Sequence, residues 1–265
     1  MRLIALLLAV FPLAVQAQQD SRLQSLQTGD ASRGWEAVGR LNMQGVGFCT
    51  ATLISDTLVL TAAHCLFDRR TGVRLPEDRL EFLAGWRTGR AEAIRGIRRS
   101  SIWPQFDFAA GAELGNVPAD IALLELDRPV RTTAILPFRV ADRGVETGDS
   151  VAVISYARNR AEAPSIQESC HVVEQRHDGI TVFSCDIDYG ASGSPVFIVE
   201  AGEPRIVSVI SARVESSDRP LSLGMVFGER VRQLADQLSP GAGAAGAPVR
   251  PGQQGARDSA RFVRP

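Results

Sequence analysis

The segment 190–195, Gly-Ala-Ser-Gly-Ser-Pro, constrains this chain more than any other stretch. Glycines flanking a short turn reach backbone angles that other residues avoid, and they let a ligand approach the main chain. A serine on such a turn can point its hydroxyl outward while nearby backbone N–H groups converge where an oxyanion develops. The alternative interpretation is a tight turn between strands. A base and an orienting acid elsewhere in the chain would favour the catalytic interpretation.

The base must come from three histidines, His64, His171 and His177. His64 follows the strand-like run 57–60 and sits among small residues in the segment Thr-Ala-Ala-His-Cys, a setting that leaves an imidazole exposed at the rim of a sheet. His171 and His177 flank an irregular polar segment and are expected on the surface. His64 is therefore the candidate base.

The orienting acid is assigned to Asp120, which opens the strongly apolar run 121–126. A carboxylate in that position suits a buried acceptor that holds an imidazole in one tautomer. An aspartate before a strand is also a common turn residue. Asp107 and Asp127 are alternatives, but neither opens an apolar run of this quality.

These three segments together resemble the chymotrypsin-fold (trypsin-like) serine peptidases. The resemblance rests on Phe-Cys-Thr-Ala-Thr-Leu-Ile at 48–54 with Thr-Ala-Ala-His-Cys at 61–65, on Asp-Ile-Ala-Leu-Leu-Glu-Leu at 120–126, and on Gly-Ala-Ser-Gly-Ser-Pro-Val at 190–196. It extends over roughly 35–238. It implies that Ser192 is the nucleophile, His64 the general base and acid, and Asp120 the orienting residue. It also implies an oxyanion hole formed by the N–H groups of Gly190 and Ser192.

Two features depart from the vertebrate pattern of that family. Ala191 precedes the serine where vertebrate enzymes place an aspartate that pairs with a newly cut N-terminus, and the segment before Trp35 lacks the usual Ile-Val-Gly-Gly start. Activation by an N-terminal ion pair is therefore not expected. The serine segment is more similar to the bacterial branch that includes the V8-like glutamyl endopeptidases.

Short apolar runs broken by Gly, Asp and Pro are typical of β-strands. In the first half they lie at 37–42, 48–54, 57–61, 80–84, 93–98 and 121–126, and in the second at 150–156, 169–175, 180–185, 195–200, 205–213 and 224–227. Many short strands favour a sandwich or barrel. With the resemblance, the fold class is all-β: two antiparallel six-stranded β-barrels of the chymotrypsin fold with a C-terminal helix at 229–238. We expect the first barrel at 35–130, a connector at 131–142, and the second barrel plus helix at 143–238.

The two ends of the chain are interpreted separately. Residues 1–17 have the layout of a secretory signal peptide, with one positive charge, a short apolar stretch and small residues at the cut. Residues 18–34 are a polar N-terminal arm or short propeptide, and 239–265 are predicted to be a disordered tail. A secreted or periplasmic monomer without a membrane span after cleavage is expected. A net charge of -1 does not indicate a nucleic-acid partner.

Four cysteines in an exported chain favour two disulfides over a metal site, and no Cys-x-x-Cys pair is present. Three pairings are possible from the residues alone. The resemblance implies Cys49 with Cys65 beside the histidine, which leaves Cys170 with Cys185 beside the serine segment. We expect neither a metal nor a cofactor.

The function expected from the resemblance is cleavage of polypeptides through an acyl-enzyme. The alternatives are a catalytically inactive peptidase-like binding protein and an esterase that uses the same triad. Four residues are candidates for the substrate pocket: Asp186, Ile187, Ser208 and Ile210. Asp186 would favour a basic residue before the scissile bond, Ile187 argues against an acidic one, and Ile210 would narrow the pocket. A basic preference and a small apolar preference therefore both remain open.

Overall fold

The computed structural model describes residues 20–111, 113–216 and 220–239, so the predicted signal peptide and almost all of the predicted tail lie outside it. The first half has strands β1 Gln24–Ser25, β2 Val38–Met43, β3 Gly47–Leu53, β4 Leu58–Thr61, β5 Leu80–Ala84, β6 Ala93–Ile102 and β7 Ala122–Leu126. The second half has β8 Arg139–Val140, β9 Ser150–Ala157, β10 Arg160–Gln175, β11 Ile180–Phe183, β12 Pro195–Glu200, β13 Glu203–Val214, β14 Leu221–Met225 and helix α1 Arg230–Leu238.

The first barrel is a closed ring of six antiparallel strands in the order β2-β3-β4-β7-β6-β5. Its interior is filled by large aliphatic and aromatic side chains such as Leu41, Leu60, Phe82 and Leu124, all fully buried. Closing the sheet into a barrel removes its edge strands, so no strand is left with a row of unpaired N–H and C=O groups.

The second barrel is also a closed ring, in the order β9-β10-β11-β14-β13-β12. Two short strands are added to its outside. β1 pairs antiparallel with β10, and β8 pairs parallel with β13. The N-terminal arm and the connector are thereby attached to this barrel by main-chain hydrogen bonds.

The barrels pack against each other through an aromatic cluster of Trp35, Phe138 and Phe197, whose ring centroids are 4.8–5.5 Å apart. Helix α1 closes the molecule by burying Val231, Leu234 and Leu238, and it contacts β6 and β7 of the first barrel. None of the helices in the described residues has the length and apolar character that a membrane crossing needs.

The predicted fold of two six-stranded barrels and a C-terminal helix is confirmed. Strand bounds differ most at β10, which begins at Arg160 instead of 169, and at β14, which spans Leu221–Met225 instead of 224–227. The start of β10 is polar, so apolar alternation does not mark it. β1 and β8 are not among the predicted strands, and they lie in the segments interpreted as an arm and a connector. Strands of two residues depend on pairing with a barrel, so the local sequence does not indicate them.

Candidate active site

His64 lies on a short 3₁₀ turn, Ala63–Leu66, that follows β4. Ala63, Cys65 and Leu66 on this turn are buried, while the His64 side chain remains 15% exposed. The Cys49–Cys65 disulfide ties the turn to β3. The buried neighbours and the disulfide therefore hold the His64 turn against the end of the first barrel.

Asp120, buried just before β7, accepts two hydrogen bonds from His64. The imidazole Nδ1 lies 2.7 Å from Oδ2 of Asp120, and the backbone N–H of His64 donates to Oδ1 at 2.9 Å. The hydroxyl of Ser211 also donates to Oδ2, at 2.5 Å. Burial raises the pKa of Asp120, but the charge of His64 and these hydrogen bonds outweigh it and hold that pKa below its usual value.

The ring of His64 is thereby fixed in one orientation. An ionised carboxylate can only accept hydrogen bonds, so Nδ1 carries a proton. Nε2 then has a free lone pair in the neutral ring, and in the part of the chain that the structure describes it has no hydrogen-bond partner. A buried acceptor in this state is ready to take a proton from a group that enters the cleft.

Ser192 lies on the turn that leads into β12. Gly190 and Gly193 both have positive φ, +99° and +79°. A side chain at Gly193 would collide with Thr61 and the carbonyl of Thr50, and one at Gly190 would collide with Phe48. Glycine is therefore required on both sides of the serine for conformation and for space.

This turn is anchored to the first barrel by Thr50 of β3. The N–H of Thr50 donates to the carbonyl of Ser192 at 2.9 Å, and its hydroxyl donates to the carbonyl of Gly190 at 3.0 Å. Three N–H groups of the turn are occupied: Ala191 donates to the carbonyl of Asp188, Gly193 to that of Ile210, and Ser194 to that of Ala191. Among the described residues, the N–H groups of Gly190 and Ser192 donate to no protein acceptor.

His64 and Ser192 line one cleft of about 610 Å³ between the barrels. The first barrel contributes Phe106 and Phe108 to its wall, and the second contributes Ile187, Ile210 and Ser211. No hydrogen bond joins Nε2 of His64 to the Ser192 hydroxyl here. The Ser192 hydroxyl oxygen instead accepts a long hydrogen bond from Nη2 of Arg69, at 3.4 Å.

Two of the four predicted pocket residues, Ile187 and Ile210, line this cleft, whereas Asp186 and Ser208 are not among the described residues that line it. Asp186 is exposed, and its N–H donates to Gln167. Ser208 is buried and bonds the backbone of Met225. The apolar part of the predicted pocket thus belongs to the cleft, and the acidic part does not.

The other histidines and acids lie elsewhere. Asp107 accepts from Ala109 N–H in a local turn, and Asp127 pairs with Arg128. His177 is exposed. The expectation that His171 is a surface residue is wrong: its side chain is only 13% exposed, and its Nδ1 lies 2.7 Å from Asp20. The N-terminal arm covers it, which no local pattern around residue 171 reveals.

Both cysteine pairs are bonded, Cys49 with Cys65 and Cys170 with Cys185. Ligand atoms of Cys49, Cys65 and His64 lie within 4.8 Å of one another. The two sulfurs are joined in a disulfide, so they offer no thiolate to a metal. This group therefore acts as a covalent brace for the histidine turn.

A family model described as the trypsin-like peptidase domain matches residues 49–209, which is more than half of the chain. The chain belongs to the trypsin-like peptidase family. Its match to human (Homo sapiens) kallikrein-10 is 32% identical over 140 residues, covering 49% of this chain and 48% of that protein. Its match to coagulation factor IX of Cavia porcellus is 27% identical over 110 residues, covering 41% and 35%. The matched part thus spans less than half the length of these curated relatives.

The fold of the family is also found by structural comparison. A solved structure of a Glu endopeptidase in complex with MPD superposes with a TM-score of 0.65 at 16% identity, covering 83% of this chain and 97% of that one. At this identity the comparison shows the fold alone.

The sequence motifs do not mark two further residues of this site. The hydroxyl of Ser211 bonds Asp120, and the guanidinium of Arg69 contacts Ser192. Each contact joins residues far apart in sequence, so the available signal is proximity to a predicted site residue: Arg69 follows the histidine segment, and Ser211 follows Ile210.

Proposed function

We propose that this protein is an exported serine endopeptidase in which Ser192, His64 and Asp120 form the catalytic triad. The Ser192 hydroxyl attacks the scissile carbonyl while Nε2 of His64 takes its proton. The N–H groups of Gly190 and Ser192 stabilise the oxyanion of the tetrahedral intermediate. His64 then gives the proton to the leaving amine, and water, activated by the same imidazole, hydrolyses the acyl-enzyme.

The observation that carries this proposal is the state of His64. Asp120 holds the ring through two hydrogen bonds, and Nε2 is left without a partner in the described residues while His64 lines the same cleft as Ser192. A buried ring nitrogen without a partner costs free energy in a histidine that only supports the fold, whereas at a cleft beside a hydroxyl it can accept a proton. Catalytic hydrogen bonds are often long before substrate binds, so a rotation of the Ser192 hydroxyl toward Nε2 on binding is expected.

The state of the serine turn supports an active enzyme over a binding protein with a collapsed oxyanion hole. A collapsed hole would have its N–H groups turned away or bonded to protein carbonyls. Here the carbonyls that share a peptide unit with these donors, those of Tyr189 and Ala191, accept from the N–H groups of Arg158 and Ser194, and the N–H groups of Gly190 and Ser192 remain free among the described residues. The donors are therefore available to a substrate without rearrangement.

Export is supported by the two disulfides, which persist in oxidising compartments, and by the signal-like segment 1–17. We propose the domain bounds that the sequence indicates: a first barrel at 35–130, a connector at 131–142, and a second barrel with its helix at 143–238.

We further propose an apolar preference for the residue before the scissile bond. Ile187 and Ile210 line the cleft beside Ser192. Asp186 lies outside that lining, and its charge, with that of Asp188, acts on the partly buried Arg160. A carboxylate already facing an arginine of the same protein gives little extra attraction to a basic substrate.

The triad is tested with Ser192→Ala and the matched control Ser194→Ala, which changes the second serine of the same turn. Ser194 is fully buried, and its hydroxyl has no hydrogen-bond partner in the described part of the chain. We expect Ser192→Ala to lose labelling by a fluorophosphonate probe and about 10⁴-fold or more of its peptide hydrolysis. Ser194→Ala should keep both. Undiminished hydrolysis by folded Ser192→Ala would disprove the assignment.

The preference is tested with chromogenic peptides that differ only at the residue before the cut, carrying Ala, Val, Leu, Arg or Glu. The apolar members should have the highest kcat/KM. Ester analogues of the best peptide, run in parallel, distinguish a peptidase from an esterase, because an enzyme that turns over only the ester would not be an endopeptidase. An Arg peptide that exceeds the apolar ones would contradict the pocket assignment.

A further inference from the structure

A positively charged side chain lies directly at the nucleophile. Nη2 of Arg69 is 3.4 Å from the Ser192 hydroxyl oxygen, and Arg69 lines the cleft. Triad chemistry has no role for a cation at this point, because the oxyanion is stabilised by the N–H groups of the serine turn. The contact is long for a hydrogen bond, so it holds the guanidinium near the serine only weakly.

The loop that carries Arg69 is well braced. Phe67 and Arg74 form an antiparallel bridge across its base, and Phe67 stacks on Phe108 at 4.7 Å. Asp68 accepts from the N–H of Arg70 at 2.8 Å, and this hydrogen bond is the main cause that holds the pKa of Asp68 below its usual value. These contacts brace the loop on both sides of residue 69, whereas the Arg69 side chain is exposed and can adjust to a ligand.

The charge of Arg69 is not neutralised inside the protein. In the described residues Arg69 forms no ion pair, whereas Arg213, the other arginine in the cleft, is 3.1 Å from Glu215. Asp188 of the cleft accepts from the N–H of Tyr189 and acts on Arg160. An acidic group on a bound substrate would be the first carboxylate to reach this guanidinium.

The position of the loop shows which part of a substrate Arg69 meets. The residue before the scissile bond enters the wall formed by Ile187 and Ile210 of the second barrel. The leaving amine faces His64, which must protonate it, and the loop of Arg69 follows His64 directly in the first barrel. Arg69 therefore lies toward the residue that follows the scissile bond.

We propose that Arg69 forms a subsite that selects an acidic side chain, aspartate or glutamate, immediately after the scissile bond. This inference rests on the peptidase function proposed above. A guanidinium presents paired N–H donors that match a carboxylate in a bidentate arrangement. When the substrate covers the cleft and displaces water, this pair becomes stronger because the local dielectric falls. The weak contact with Ser192 is then exchanged for a stronger one, which releases the nucleophile.

The test uses internally quenched peptides of one sequence that carry Asp, Asn or Lys after the scissile bond. The natural protein should cleave the Asp peptide with a kcat/KM about tenfold or more above that of the Asn peptide, the effect of one charge-assisted hydrogen bond. Arg69→Gln should bring this ratio close to one, and Arg69→Glu should favour the Lys peptide.

Arg70→Gln is the matched control. It removes the same charge from the next residue of the same loop, which is exposed and does not touch Ser192. It should keep the Asp preference. Equal cleavage of Asp and Asn peptides by the natural protein would overturn the proposal. So would a gain in rate on all peptides alike in Arg69→Gln, since that result would identify Arg69 as an inhibitory contact.

A binding measurement separates this proposal from the peptidase function. Ser192→Ala, mixed with fluorescent Asp and Asn peptides, should bind the Asp peptide about tenfold more tightly by anisotropy. Adding Arg69→Gln should abolish the difference. If the natural protein cleaves nothing, the peptidase function fails, and the binding difference alone decides on Arg69: its presence supports the subsite, and its absence removes it.

Discussion

Two clusters of aspartate, histidine and serine with nearly equal local geometry lie in the part of the chain that the structure describes. In the cleft, Asp120 binds Nδ1 of His64 at 2.7 Å and accepts from Ser211. At the N-terminal arm, Asp20 lies 2.7 Å from Nδ1 of His171 and accepts from Ser184 at 2.8 Å. The two histidines are similarly covered, with 15% and 13% of their side chains exposed.

The clusters differ in one respect: the cleft has a further serine, Ser192, and the arm cluster has no serine in the corresponding place among the described residues. Ser184 bonds the carboxylate on the Nδ1 side, so it corresponds to Ser211 and not to Ser192. Ser184 also accepts from the N–H of His171 at 2.8 Å, which ties the arm, β10 and the segment after β11 together. A histidine–aspartate pair with a serine therefore does not make a catalytic site. The proposed catalytic site has, in addition, a hydroxyl on a glycine turn in the cleft that His64 lines.

The largest predicted effect separates the two histidines. His64→Ala should lower kcat by about 10⁴-fold or more, because the triad loses its base. His171→Ala should keep kcat within a few-fold, because its cluster contacts no residue of the triad. Peptide hydrolysis normalised to folded protein measures both. An equal loss of activity in folded His171→Ala would mean that the arm cluster takes part in catalysis.

The next effect separates the two serines that bond the carboxylates. Ser211→Ala should lower kcat about tenfold or more, since it removes a hydrogen bond to a charged group that orients His64. A KM near the natural value would show that the loss is in orientation. Ser184→Ala should instead leave kcat nearly unchanged and lower the thermal midpoint. A loss of kcat in Ser184→Ala with an unchanged kcat in Ser211→Ala would contradict the assignment of Ser211 to the active site.

A smaller effect tests the arm alone. Asp20→Ala should lower the free energy of unfolding by about 1–3 kcal/mol, because His171 and Ser184 lose a partly buried acceptor. Asp30→Ala is the control from the same arm: its carboxylate is 90% exposed and, within the described ranges, pairs only with Arg33, so a change within about 0.5 kcal/mol is expected. Urea unfolding measures both, and equal losses would mean that the arm is not held through Asp20.

The smallest effect concerns the cleft carboxylate in acid. The pKa of Asp120 is lower in the folded state than its ordinary value. Its stabilising contribution is therefore complete above the unfolded pKa of about 3.9 and is lost as the pH falls through the folded pKa. In urea unfolding the stability lead of the natural protein over Asp120→Asn should shrink from pH 5 to pH 2. A lead that grows on acidification would contradict the lowered pKa.

The fold and the three triad candidates could be predicted because each is marked locally. His64 and Asp120 adjoin apolar strand runs, and Ser192 lies between glycines. Contacts between distant segments leave no such mark: Ser211 to Asp120 spans 91 residues, Arg69 to Ser192 spans 123, and His171 to Asp20 spans 151. The arm strand β1 has no local mark for the same reason, since its polar residues form a strand by pairing with β10.

The anchoring of the serine turn on Thr50 has a consequence for biosynthesis. Thr50 and the first barrel precede the turn in the chain, and the carbonyls of Gly190 and Ser192 are held only when both halves have come together. On the proposed triad, a chain whose two halves have not yet joined lacks an ordered nucleophile, and we expect it to be inactive.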